Sequence, residues 1–307
     1  MRIAVMGTGG VGGYFGLRLA IGGAEVHFVA RGAHLAAMRR GGLQVEGGPE
    51  PLALPAVSAT DDPATIGVVD VVMLGVKLWD TDAALAAIRP LVGPGTAVIS
   101  FQNGVLKDLA VRQAFGAEHA VGGVAYVATT IDRPGVIRQT GPMQRLLVGE
   151  HDGRRSARVE AFVAACLAGG IRAELSDDIV REIWQKFVFL AALSGATTAM
   201  RSPIGPIRTN PRTRAFLLDL MREVAAVGRA HGVALADDFP EQRLAFADGL
   251  SPAMTSSMHE DLMRGGRLEV PWLAGAVVSL GATQGVPTPL NRAVADILAL
   301  HADGAQP

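Results

Sequence analysis

Lys186 stands in the segment REIWQKFVFL, residues 181–190, and the turn after it is apolar all round: Phe187, Val188, Phe189 and Leu190. A lysine entering such a helix either snorkels to solvent, with Glu182 as its i,i+4 partner, or is partly desolvated. Desolvation lowers the proton affinity of an ammonium, which is how a lysine becomes a proton donor. Composition leaves both open. Farther on, TSSMHEDLMRGGRLEV holds Ser257 and Glu269, which flank an expected helix and stand where they can meet at its two ends. His259, Glu260 and Asp261 in the same stretch lack a metal-ligand spacing and read as one helix face, so no metal is expected. Upstream, Lys77 directly follows the run DVVMLGV, and Asn103 follows AVISF with Gly104 as a sharp exit. Both are expected at the carboxyl edge of a sheet, where ligands bind in open α/β folds.

The element that must position such groups is the N-terminus. Residues 2–6 read as a short apolar strand, and Val11, Phe15, Leu17 and Leu19 recur at helical spacing behind a glycine cluster. Between them lies Gly7-Thr8-Gly9-Gly10-Val11-Gly12, a G-x-G-x-x-G motif in its strand–turn–helix context. The first glycine permits the turn, the second lets a pyrophosphate approach the backbone, and the third lets the helix lie close on the sheet. Amides at the helix start suit a phosphate. A second strand, residues 25–30, ends at Arg31, and the next acid downstream is Glu46. An acid at that place would take ribose hydroxyls, whereas a guanidinium forks onto a 2′-phosphate. NADP(H) is therefore expected over NAD(H). A nicotinamide enzyme then needs a proton donor beside the hydride acceptor and a donor for the anionic end of its substrate.

The remaining pattern gives the architecture. Residues 70–76 and 97–101 are continuous apolar runs of the kind found in strands covered on both faces. Further strands are expected at 42–46, 121–130 and 146–149, with a Pro134-Gly135 turn between the last two, and helices at 32–40 and 81–91. From Ser176-Asp177-Asp178, a helix cap, nearly everything reads as helix: 179–200, 213–232, 239–247, 254–264, 272–281 and 289–302, with Thr288 as the cap of the last. The expectation is an α/β fold. A Rossmann-type doubly wound sheet (1–175) is expected to bind the nucleotide, followed by an all-α domain (176–307).

Composition bounds the rest. A chain of 307 residues, 49% hydrophobic and 19% charged, has enough apolar material for two cores. A net charge of −1 offers no basic face to nucleic acid and no polybasic segment to a membrane. Cys166 is the only cysteine and reads as a buried apolar residue. The longest apolar stretch, residues 187–200, is too short to span a bilayer. With the first strand starting at residue 2, a cytoplasmic protein is expected.

With these residues assembled, the chain resembles the ketopantoate reductase (2-dehydropantoate 2-reductase) family over nearly its whole length. The marks are the glycine motif, Arg31, the Val-Lys pair ending in Lys77, Asn103-Gly104, the helix with Lys186, and the T-S-S-M…E pattern from Thr255 to Glu269. The resemblance implies a 6-phosphogluconate-dehydrogenase-like two-domain monomer or homodimer that uses NADP(H) to reduce a 2-oxo acid held in an interdomain cleft. It makes Lys186 the general acid, Asn103 and Ser257 substrate-positioning donors, and Glu269 the acid that contacts the substrate hydroxyl or steadies the lysine. Lys77 and Arg31 become cofactor-side residues. Two positions depart from the family, whose best-characterised members carry asparagines one and two turns past the lysine. This chain has Leu190 and Ser194 there. The alternatives are a related dehydrogenase of another 2-oxo or hydroxy acid, and a non-catalytic NADP(H)-sensing protein.

Overall fold

The computed structural model describes residues 1–305. The chain divides into two compact units, residues 1–103 with 107–182, and residues 104–106 with 183 onward. The division falls inside one helix, after Glu182, rather than at the helix cap near residue 176.

In chain order the first unit contains β1 (Arg2–Met6), α1 (Gly10–Ile21), β2 (Glu25–Val29), α2 (Gly32–Gly41), β3 (Leu43–Glu46), β4 (Leu52–Leu54) and β5 (Ser58–Thr60). It continues with β6 (Val71–Leu74), α3 (Thr81–Ala87), β7 (Ala97–Ser100), α4 (Lys107–Phe115), β8 (Ala120–Arg133), β9 (Val136–Gly149), α5 (Ala157–Ala168) and β10 (Arg172–Leu175). The strands form one sheet in the order β4-β3-β9-β8-β7-β6-β1-β2-β5, with β10 beside β9. The stretch from β5 to β8 is parallel throughout.

Alternation along the central strands shows why both faces are covered. Ile3 and Val5 of β1, Val71 and Met73 of β6, and Ala97 and Ile99 of β7 join one apolar cluster, with Phe15 and Leu19 of α1. Ala4, Val72, Leu74 and Val98 join a second cluster, with Leu85 of α3 and Val111 of α4. Side chains at successive strand positions point to opposite faces, so a run apolar at every position needs helices on both. The doubly wound reading holds. Past β8 the sheet turns mixed, because β8 and β9 are two 14-residue arms of a hairpin closed at Pro134-Gly135, with Gly135 at φ +81°. That turn was expected; the length of its arms, and the short strands β4, β5 and β10, were not.

The second unit is helical: most of α6 (Ile179–Ala199), then α7 (Ile204–Thr209), α8 (Pro211–Ala230), α9 (Phe239–Asp248), α10 (Ser257–Met263), α11 (Ala274–Gln284) and α12 (Pro289–Leu298). Several expected boundaries move. The helix expected at 254–264 is only seven residues long, because the Ser256 side chain accepts from the amide of His259 and starts it there. Trp272 closes a 3-10 turn, Val270–Trp272, before α11. The chain at 81–91 splits into α3 and a 3-10 turn at Arg89–Leu91 with Pro90 inside it. Thr288 stands at the cap position of α12, but its side chain makes no capping bond. Glu223 of α8 does that work, accepting from the amides of Leu290 (2.8 Å) and Asn291 (2.9 Å). Cys166 is fully buried, and burial pushes its thiol up to about 12. No described helix is long and apolar enough to cross a membrane.

A buried ionic cluster holds the chain that leaves β7. Lys107 Nζ donates to the carbonyls of Ser100 (2.8 Å) and Gly123 (3.0 Å) and to Asp108 Oδ1 (2.9 Å). His151 lies next to it, its Nε2 3.6 Å from Asp108 Oδ2. Burial holds the His151 imidazole below its ordinary value, and the Asp108 carboxylate offsets part of that effect. A histidine kept neutral by the fold costs no stability above its unfolded value, near 6.5, and costs increasingly as pH falls below it. Urea unfolding of wild type between pH 7.5 and 5.5 should therefore show a loss of stability that is shallower in His151→Gln. Equal slopes in the two proteins would remove His151 as the cause.

Candidate active site

The ends of β1, β2 and β6 are in register, Met6 pairing with both Val29 and Leu74, and Ser100 ends β7 opposite Leu74. The chain leaving these four strands carries Gly7, Arg31, Lys77 and Asn103, so the first unit sets all four at one sheet edge. Gln102 ties two of these exits together, donating to the carbonyl of Val76 (3.0 Å) and to Thr81 Oγ1 (2.9 Å) while Ser100 donates to its Oε1 (2.9 Å). Sequence reading missed Gln102, since its partners come from a different strand exit.

At the glycine motif each residue has its own reason. Gly7 has φ +95°, and a Cβ there would lie 2.7 Å from the amide nitrogen of Val76. A Cβ on Gly12 would sit 2.2 Å from the Gly7 carbonyl oxygen, and one on Gly10 2.3 Å from that of Thr129. Gly9 differs from all of these: a Cβ there meets nothing within 4 Å, so its backbone faces open space. Gly9 is the cap of α1 and makes no side-chain bond to the first-turn amides. The Thr8 hydroxyl donates to the Val29 carbonyl at 3.0 Å, and Val11 packs on the apolar cluster. The motif therefore offers a ligand backbone rather than side chains, as a pyrophosphate site requires.

Beside this turn lies a cleft of about 320 Å³ whose lining includes Gly7, Thr8, Gly9, Arg31, His34 and Asp80. Arg31 stands at the cap position of α2 without a side-chain capping bond, and its side chain is 79% exposed. His34 Nδ1 accepts from the Gly135 amide, and burial holds the ring below its ordinary value. The bare backbone at Gly9 and the exposed Arg31 side chain fit the phosphates of a dinucleotide. Lys77 and Asn103 stand outside this lining. Lys77 is exposed, with its ammonium 5.5 Å from the centre of the Trp79 ring, and Asn103 is half-buried. Glu46, the next acid downstream of Arg31 in sequence, is forked by Arg133 at 2.7 and 3.2 Å. The acid beside Arg31 is Asp80, from the turn after β6.

The second unit presents its residues on α6 and the segment around α10. Lys186 and Leu190 are half-buried and Ser194 is 1% exposed, so the face they share deepens along the helix. Trp184 and Phe187 pack edge to face beside the lysine, their ring centroids 5.8 Å apart. Ser194 Oγ has no hydrogen-bond partner among the described residues. Thr197 hydrogen-bonds Ser256 Oγ (2.9 Å), and its carbonyl accepts from His259 Nδ1 (2.9 Å). These bonds pin the start of α10 to α6 and leave Ser257, the first residue of α10, exposed. Glu269 is buried and stands at the cap position of the following 3-10 turn, where its side chain makes no capping bond. It does not lie at the far end of the helix that Ser257 starts, because α10 ends at Met263.

A glycine-turn dinucleotide fold followed by a helical unit with a lysine on an apolar helix defines a nicotinamide-dependent oxidoreductase. Residues 3–153 match the family model described as ketopantoate reductase PanE/ApbA, and residues 178–302 match the model of its C-terminal part. The 2-dehydropantoate 2-reductase of Mesorhizobium japonicum is 34% identical, over 96% of this chain and 95% of its own. That of Halobacterium salinarum is 29% identical, over 98% of each chain. The crystal structure of 2-dehydropantoate 2-reductase from Geobacter metallireducens superposes with a TM-score of 0.91 at 30% identity, covering 98% of this chain and 99% of that one. A D-mandelate dehydrogenase shares the fold, with a TM-score of 0.90 at 20% identity and 98% of each chain covered. The chain belongs to the ketopantoate reductase family.

Ser256, which sequence reading passed over for its neighbour Ser257, holds the start of α10. Ser256→Ala removes the cap and the bond to Thr197, and should cost about 1–2 kcal/mol in denaturant unfolding. Ser257→Ala, at an exposed position, should leave stability within about 0.5 kcal/mol of wild type.

Proposed function

We propose that this protein reduces a 2-oxo acid to the 2-hydroxy acid with NADPH, and that ketopantoate is its first candidate substrate. The observation that supports this most strongly is the family match over residues 3–153 and 178–302, in a chain that carries the lysine, asparagine, serine and glutamate named in the resemblance. When bound, the nicotinamide supplies the hydride that reduces the substrate carbonyl. Lys186 then acts as the general acid, giving a proton from Nζ to the oxygen as it becomes an alkoxide. Its positive charge stabilises that oxygen before the proton moves, an effect typically larger than proton transfer alone. Asn103 and Ser257 donate hydrogen bonds to the substrate, and the buried Glu269 carboxylate steadies the lysine or takes a substrate hydroxyl. Arg31 favours NADPH by pairing with the 2′-phosphate, while Lys77 stands on the cofactor side. The lysine helix is continuous through residues 179–199 and packed by Trp184, so the ammonium is carried on a rigid element.

Lys186→Ala removes both the proton source and the charge, and should lower kcat by about 100- to 10,000-fold with little change in NADPH affinity. Turnover close to wild type would return Lys186 to a surface role. NADPH consumption with ketopantoate, set against a panel of other 2-oxo acids and sugar phosphates, tests the reaction itself. No oxidation with any carbonyl would favour a nucleotide-sensing protein instead.

Substrate breadth follows from α6. Leu190 and Ser194 are four and eight residues past Lys186, on one helix face. Leu190 offers apolar surface where an asparagine would offer a donor and an acceptor. A site that pairs a substrate hydroxyl discriminates sharply against analogues lacking it, whereas an apolar wall separates substrates by only about 1–3 kcal/mol per methylene. Thr197, another hydroxyl on this helix, is already bonded to Ser256 and to the Leu193 carbonyl. The enzyme should therefore accept 2-oxoisovalerate comparatively well, and Leu190→Asn should shift kcat/KM toward ketopantoate. A strong wild-type preference for ketopantoate, unmoved by the substitution, would overturn this.

A further inference from the structure

Arg31 shares its cleft with an acid. Asp80 Oδ2 lies 3.4 Å from Arg31 Nη2, and both residues line the cleft beside Gly9. Asp80 comes from the 3-10 turn Leu78–Asp80 after β6, so the two charges reach the cleft from different strand exits. Their side chains are 79% and 37% exposed, and an exposed pair of this kind exchanges readily for another partner. The other ionisable groups of the lining are otherwise engaged. Asp61 is paired with Arg39 at 3.1 Å, and His34 is held toward its neutral form by burial. Arg31 and Asp80 thus set the charge that an incoming ribose meets.

The two forms of the cofactor meet that charge differently. A 2′-phosphate that pairs with Arg31 must displace the Asp80 carboxylate and then remain near it, and like charges repel. A ribose bearing free hydroxyls needs an acceptor, which the carboxylate provides without breaking its pairing with Arg31. We propose that Asp80 is a specificity-determining residue, which lowers the preference for NADPH that Arg31 creates and makes the site accept NADH as well. This rests on the nucleotide reading of the cleft given under Proposed function. The chain thereby carries both of the recognition groups that dinucleotide folds ordinarily use as alternatives.

The test is binding without substrate. Dissociation constants for NADPH and NADH are measured by calorimetry on the full chain, in wild type, Asp80→Asn and Arg31→Ala. Asparagine keeps the size of the side chain and removes its charge. Asp80→Asn should tighten NADPH about tenfold and weaken NADH about threefold, with the NADPH gain shrinking at high salt. Arg31→Ala should weaken NADPH far more than NADH. The same comparison with adenosine 2′,5′-bisphosphate and AMP should show the same shifts, since the nicotinamide half plays no part. Binding of both dinucleotides with a ratio unmoved by Asp80→Asn overturns the role of Asp80 and leaves the reductase reading standing. Failure of both dinucleotides to bind wild type overturns the nucleotide reading and this proposal with it, and binding of NADPH without NADH overturns this proposal alone.

Discussion

The first unit depends on a close approach that no side chain would permit. The backbone of Gly12 on α1 crowds the carbonyl of Gly7, and Gly7 in turn crowds the chain leaving β6. A Cβ at either place would lie inside the van der Waals radii of backbone atoms, which cannot rotate away as a side chain can. Because the helix starts this close to the strand end, its first amides open at the sheet edge beside the exits of β2, β6 and β7. Gly16 extends the same contact, since a Cβ there would lie 2.6 Å from the Phe28 ring. Within the glycine motif only Gly9 faces open space, which separates the position open to a ligand from those where the protein packs on itself.

The second unit solves a different problem, how to place polar groups along a helix that is otherwise core. Its solution is a short chain of hydrogen bonds, from Leu193 through Thr197 to Ser256 and His259. Each buried polar atom in that chain has a partner, so the bonds fix the register between α6 and α10 without leaving an unsatisfied group. Ser194 Oγ and Thr198 Oγ1, on the same helix, have none among the described residues.

Charge in this protein is local rather than global. The net charge is −1, and most arginines are tied to carboxylates, as in the Arg133–Glu46 and Arg145–Glu174 forks. Against that background the exposed Arg31–Asp80 pair stands out because it lies in the cleft beside the glycine motif.

How much of this was legible in sequence depended on how far apart the cooperating residues lie. The glycine motif with its flanking strand and helix, the fully apolar strands β6 and β7, the Pro134-Gly135 turn and the long helix bearing Lys186 follow from local propensity and periodicity, and these suffice for the doubly wound class and the helical second half. Composition and spacing also brought Arg31, Lys77 and Asn103 to strand ends, because a strand's exit is a local property. What failed to appear was whatever two distant segments decide together. Glu223, not Thr288, caps α12, since a carboxylate from another helix reaches those amides first. Ser256, not the longer stretch around it, starts α10, because its hydroxyl is held from α6. The two short edge strands β4 and β5 carry too few residues to show a period, and pairing with their neighbours alone makes them strands. Asp80 stands 49 residues from Arg31 in the chain, and only the parallel register of β2, β1 and β6 sets the two charges at one edge.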